Sequence, residues 1–166
     1  SREMSDAKYS GAFLEYGSYT MLPIFKLFGK DYKDVRIECI YGKDGIDIFT
    51  KVIFYYDNKL GMAKSGAGVK SEGQLVIAGT NGYILAKSPW WLTKEFDVRY
   101  EDPKRVEHYE ATFVGEDGLR YEIAEFVSKI NGTGGNDYKL TAEESIAMAH
   151  VVEKFMKQRK AYQESL

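Results

Sequence analysis

Between residues 32 and 112 the chain breaks into short runs rich in β-branched and aromatic residues, each closed by turn residues within a few positions. The runs cover 35–41, 46–56, 60–64, 74–78, 83–86, 95–100 and 106–112. Strands this short, with joints this tight, pair with their sequence neighbours, so a mostly antiparallel sheet is predicted. Two joints carry hairpin chemistry. Asp57-Asn58 separates Ile53-Phe54-Tyr55-Tyr56 from Lys59-Leu60, and Asn81-Gly82 separates Leu75-Val76-Ile77 from Tyr83-Ile84-Leu85, where the pair suits a type I′ turn.

On either side the periodicity becomes helical. Leu14, Met21, Phe25 and Phe28 predict a helix over 12–29 that stops at Gly29, with a kink or fresh start at Pro23, which has no N–H to offer Tyr19. Leu119, Glu122, Ile123, Phe126, Val127 and Ile130 predict another, followed by a glycine-rich loop over 132–136. Thr141 and Glu144 form a Thr-x-x-Glu capping box for a last helix. Its stripe, Met148, Val151, Val152, Phe155 and Met156, should face the sheet. The expected fold is α+β, a large mostly antiparallel open-faced sheet with helices packed on one face. At 166 residues and 44% apolar content, residues 1–166 are read as a single domain.

Charge and residue usage exclude several classes. Lys and Arg number 23 against 25 Asp and Glu, with no run of one sign, so no concentrated basic face exists for nucleic acid. No apolar stretch is long enough to span a bilayer and no leader opens the chain, so no membrane partner and a cytoplasmic location are expected. Cys39 is the single cysteine and reads as a buried thiol. His108 and His150 are the only histidines and neither has a partner at ligand spacing, so no resident metal is expected. The stretch Gly66-Ala67-Gly68-Val69-Lys70-Ser71-Glu72-Gly73 leads into another strand rather than a helix, and reads as a turn or bulge instead of a phosphate cradle.

Two features offer chemistry. Glu15 and Tyr19, four apart, put a carboxylate and a phenol on one face of the first helix, with Leu22 and Lys26 continuing the line. Spacing alone suits the pair either to acid/base work or to a half-exposed packing contact. Trp90 and Trp91 should point to opposite sides of an extended chain after an edge strand, one packed inward and the other free as a sugar-stacking or association surface. Aromatic residues reach 14% of the chain, which favours a broad recognition or association surface.

Four stretches, taken in order, resemble the C-terminal domain of the Gfo/Idh/MocA oxidoreductases. They are Gly11-Ala12-Phe13-Leu14-Glu15-Tyr16-Gly17-Ser18-Tyr19, Gly73-Gln74-Leu75-Val76-Ile77-Ala78-Gly79-Thr80-Asn81-Gly82-Tyr83-Ile84, Gly118-Leu119-Arg120-Tyr121-Glu122-Ile123 and Leu140-Thr141-Ala142-Glu143-Glu144-Ser145. The resemblance implies an open sheet used for substrate binding and homo-oligomerisation, a sugar, cyclitol or nucleotide-sugar substrate, and a separate N-terminal Rossmann domain that binds NAD or NADP. It also implies that Tyr19 approaches the reacting hydroxyl, with Glu15 where the family carries an aspartate; Trp90, Trp91 and Lys26 are further candidates for substrate contact. The sequence contains neither Gly-x-Gly-x-x-Gly nor Glu-Lys-Pro, so no cofactor is expected in this chain itself and no dehydrogenase activity without the Rossmann partner. A non-enzymatic association or carbohydrate-binding module that kept the fold is the alternative.

Overall fold

A computed structural model describes residues 10–112, 118–133 and 139–166. The order is α1 (Ala12–Phe28), β1 (Asp34–Tyr41), β2 (Asp47–Tyr55), β3 (Leu60–Gly66), β4 (Leu75–Gly79), β5 (Gly82–Ala86), a 3₁₀ turn (Trp90–Leu92), β6 (Glu95–Tyr100), β7 (Val106–Glu110), α2 (Leu119–Ile130) and α3 (Ala142–Gln163). All described strand pairings are antiparallel, and the α+β class stands as expected. The strands form two hydrogen-bonded sheets, β1-β2-β3 and β4-β5-β6-β7, where one large sheet was expected. The glycine stretch after β3 is the reason: Ala67 and Gly68 both donate their N–H to the Ile48 carbonyl, which turns the chain and ends the ladder. The chain forms two compact units, Ser1–Lys70 with Asn136–Leu166, and Ser71–Gly135. From residue 134 the expected glycine-rich loop lies outside the described residues.

In the first unit, alternation along β1, β2 and β3 brings Val35, Ile37, Val52, Phe54 and Ala63 onto one face, where α1 and α3 cover them. Phe25 and Phe54 meet edge to face at 5.5 Å, and Phe13 and Phe155 meet at a tilt at 4.9 Å. All four rings are buried, each contributing roughly 1.5–3 kcal/mol. α1 runs unbroken through Pro23. The α3 stripe faces the core as predicted, with Met148, Val151 and Phe155 buried and Val152 and Met156 packed at its margin. Sequence periodicity missed its continuation: Arg159 is also buried, its Nη1 donating to the Ser10 carbonyl at 2.7 Å with the guanidinium over the Phe155 ring.

α3 also protects an edge. β1 is one of the two outer strands of its sheet, and Lys154 and Gln158 of α3 donate to its Val35 and Ile37 carbonyls. Four residues of helix advance about 6 Å and two residues of strand about 6.6 Å, so successive turns of one meet successive outward carbonyls of the other. An edge that would otherwise accept a foreign strand is thereby partly occupied.

The second unit holds β4 to β7 and α2. Its first hairpin departs from the predicted turn. Gly79 pairs with Gly82, so Thr80-Asn81 is the two-residue loop and Gly82 is the first residue of β5. Neither Thr80 nor Asn81 has the positive φ that a type I′ turn demands, since no described non-glycine residue has one. Gly82 itself sits at φ 147°, and a Cβ there would come within 2.2 Å of the Arg99 carbonyl, so the glycine serves close strand approach.

Candidate functional site

The N-terminus of α1 is pinned from outside the helix. Its N-cap residue, Gly11, has no side chain to offer, and Asp47, the first residue of β2, supplies the carboxylate instead. Asp47 Oδ2 accepts the Phe13 N–H at 2.8 Å and the Thr50 hydroxyl at 2.7 Å. This satisfies one of the free donors at a helix start and suits the dipole there. Gly11 sits at φ 129°, and a Cβ on it would lie 2.0 Å from Asp47 Oδ1. One turn on, Gly17 leaves room for the Phe13 ring to lie across the helix. Phe13, Gly17, Met21 and Phe25 therefore form the buried side, and Glu15, Tyr16 and Tyr19 point to solvent.

Tyr19 is 66% exposed. Glu15 is exposed one turn before it, so α1 presents a carboxylate and a phenol on the same open stripe. Thr20, adjacent, shares a hydrogen bond with Ser65 of β3 at 3.2 Å, which fixes the rotation of the helix. Because Pro23 has no N–H, the Tyr19 carbonyl lacks its usual helical donor.

Lys26 continues that line but is engaged elsewhere. Its ammonium donates to both Glu144 carboxylate oxygens, at 3.1 and 3.0 Å, and to the Lys139 carbonyl at 2.8 Å. Glu144 is the acid of the α3 capping box, accepting the Thr141 N–H while its own N–H donates to the Thr141 hydroxyl. The Thr141 backbone N–H first, and the Lys26 ammonium after it, hold the Glu144 carboxyl below the usual range against the opposing effect of burial. Lys26 thus ties the end of α1 to the start of α3.

The two tryptophans lie on a 3₁₀ turn, contrary to the extended conformation expected, and follow β5, an inner strand of its sheet and no edge. Pro89 fixes the entry to the turn, and the Trp90 N–H is held by the Gly73 carbonyl at 3.0 Å. Their rings meet edge to face at 6.2 Å, Trp90 half-buried and Trp91 61% exposed. One ring more sheltered and one open was the expected division of labour, reached by a different backbone. Tyr19 and Glu15 belong to the first unit and Trp90 and Trp91 to the second.

Sequence reasoning missed a polar cluster on the second sheet. His108 Nδ1 lies 2.8 Å from Asp97 Oδ1, and the Asp97 carboxylate also accepts from Arg99 at 2.9 Å. The hydrogen bond from His108, then that from Arg99, lowers the Asp97 pKa, and Asp97 in turn raises that of His108. The signal was the cross-strand pairing of Asp97 with His108, which only the β6–β7 register reveals. His150 is exposed on α3, as expected. Cys39 is half-buried, and burial pushes its thiol up.

No family model matches the sequence, and no curated protein does. Solved structures do match the fold. A protein from Klebsiella pneumoniae assigned as an oxidoreductase superposes with a TM-score of 0.67 at 14% identity, over 91% of this chain and 48% of its own. The UDP-N-acetylglucosamine 3-dehydrogenase of Acidithiobacillus ferrooxidans gives 0.62 at 15% identity, over 87% of this chain and 44% of its own. A 3-ketoreductase from Actinomadura kijaniata, in complex with TDP-benzene and NADP, gives 0.64 at 12% identity, over 84% and 44% respectively. Among the described residues no helix is long and apolar enough to cross a membrane. The chain spans about half the length of these neighbours, and at such identities the likeness is one of fold: nearly the whole chain has the architecture of one half of an oxidoreductase chain.

Proposed function

We propose that this chain is the substrate-binding and association half of an NAD(P)-dependent oxidoreductase acting on a hydroxyl or carbonyl of a sugar, cyclitol or nucleotide sugar. The observation that carries the reading is the fold likeness, which covers 84% or more of this chain against about half of a nucleotide-sugar dehydrogenase and of a ketoreductase holding NADP. The dinucleotide belongs to the other half. The residues here do not fit it: the glycine stretch ends β3 and leads into β4, so no helix N-terminus lies behind it to receive a pyrophosphate. The chain alone catalyses no hydride transfer.

What this half contributes is orientation and proton handling. Tyr19 stands on a helix whose start is locked by Asp47 and whose rotation is fixed by Thr20, so its phenol is presented from a rigid support. In the intact enzyme it orients the reacting hydroxyl or relays its proton, and Glu15, one turn away, tunes it. Trp91 supplies an open face for a sugar ring. Lys26, held by Glu144, ties the end of α1 to the start of α3.

The coding sequence upstream of Ser1 tests the assignment. A strand-Gly-x-Gly-x-x-Gly-helix unit followed by Glu-Lys-Pro is the expected finding; an unrelated domain there overturns the reading in favour of a binding module. Calorimetry with NAD, NADH, NADP and NADPH on this chain is expected to give nothing tighter than millimolar, and micromolar binding would contradict the division of labour.

A further inference from the structure

The β6–β7 ladder pairs Glu95 with Glu110 and Asp97 with His108, so all four side chains share one face of the outer two strands. His108 Nε2 lies 3.6 Å from Glu95 Oε2 and 3.4 Å from Glu110 Oε1. One ligand atom from each of the three residues falls within 4.8 Å of the others. A tetrahedral ion with bonds of about 2.0–2.1 Å keeps its ligand atoms about 3.3–3.4 Å apart. The two separations from the imidazole nitrogen, 3.6 and 3.4 Å, thus match edges of such a polyhedron, and the two carboxylates lie within 4.8 Å of each other.

Asp97, which is not among those three, adds an independent feature. It is buried, takes the His108 Nδ1 at 2.8 Å, and is itself held by Arg99. A ligating histidine characteristically donates its other ring N–H to a carboxylate, which fixes the ring and leaves the second nitrogen to bind. Charge points the same way. Glu95, Asp97 and Glu110 bring three negative charges; Arg99 meets Asp97 and Lys87 meets Glu95 through Oε1 alone, leaving Oε2 to face the histidine. With neutral imidazole the cluster keeps an unmatched negative charge, which suits a dication.

We propose that His108, Glu95 and Glu110 bind a divalent transition-metal ion of the zinc type, with Asp97 orienting the histidine and water completing the coordination. The ion would clip β7, the outermost strand of its sheet, to β6. Imidazole with carboxylates favours zinc over magnesium, which demands six oxygens.

The test is a titration of chelator-treated protein with zinc chloride, with magnesium chloride in parallel. One zinc bound per chain at micromolar affinity, and none of the magnesium, is expected. His108→Gln should abolish binding and His150→Gln should leave it unchanged. Asp97→Asn should weaken it about 10- to 100-fold as an outer-shell partner. Should His108→Gln fail to fold, Glu110→Gln carries the decision, because that side chain is 75% exposed and removable without disturbing the sheet. Absence of zinc binding in the unaltered protein overturns the proposal, as does undiminished affinity in a folded His108→Gln or Glu110→Gln variant.

Discussion

At the scale of single residues, the glycines separate into those the backbone requires and those it tolerates. Gly11 is required twice, by φ 129° and by the 2.0 Å that a Cβ would leave to Asp47. Gly11→Ala should therefore destabilise the protein by about 2 kcal/mol or more, combining strain with displacement of a buried carboxylate. Asp47→Ala should cost about 1–2 kcal/mol, since it removes a helix cap and the acceptor of Thr50. Urea unfolding of both variants checks this. Unchanged midpoints would mean that α1 is not pinned as described, and the presentation of Tyr19 would lose its support.

Elements were legible where a local rule decided them. The limits of α2, the capping box of α3 and the run of β6 follow from periodicity, a Thr-x-x-Glu signature and turn residues, all contained in a few neighbouring positions. Glu15 and Tyr19 could be placed on one helix face for the same reason. What escaped was set by partners distant in sequence. Thr80 and Asn81 form the hairpin loop because Gly82 must pass close to Arg99, and Trp90 and Trp91 turn because Gly73 and Pro89 hold them. His108 gained its role from Asp97 across a ladder, and Arg159 was taken into the core by Ser10. The capping box also has a pH signature. Glu144 titrates below its unfolded value of about 4.3, so its stabilisation is present above that value and is lost as pH falls through the lower, folded pKa. Glu144→Gln should cost about 1 kcal/mol near pH 7 and less at an acidic pH below the usual carboxylate range. Urea titrations of both proteins at the two pH values measure it, and a gap that persists undiminished in acid would contradict the account.

At the scale of the whole molecule, apolar surface remains open. On the face of the first sheet away from the core, Ile40, Leu60 and Met62 are 56%, 61% and 55% exposed. Leu60 and Met62 adjoin Tyr55 and Ile53 across the ladder, while Ile40 stands apart beside Phe49. Open apolar side chains on a sheet face favour association, and a symmetric homo-oligomer through the uncovered face is the proposed outcome. Sedimentation at micromolar concentration should give a multiple of 18.9 kDa, and a monomer alone would count against it.

Turnover is likewise a property of the complete enzyme, because the proposed dinucleotide site and the proposed proton-handling site belong to different halves. Tyr19→Phe removes one oxygen from a residue that is 66% exposed, so packing and cofactor affinity should be unaffected. Glu15→Gln should slow the reaction less, since it acts through its neighbour. The decisive measurement is steady-state kinetics of Tyr19→Phe in the intact protein, with thermal melting on the same preparation. Turnover lower by about 10²- to 10⁴-fold at unchanged melting temperature is expected for a positioned acid/base group. Turnover within about twofold of the unaltered enzyme, with at most about 1 kcal/mol lost in stability, would make Tyr19 an ordinary surface residue and contradict the account.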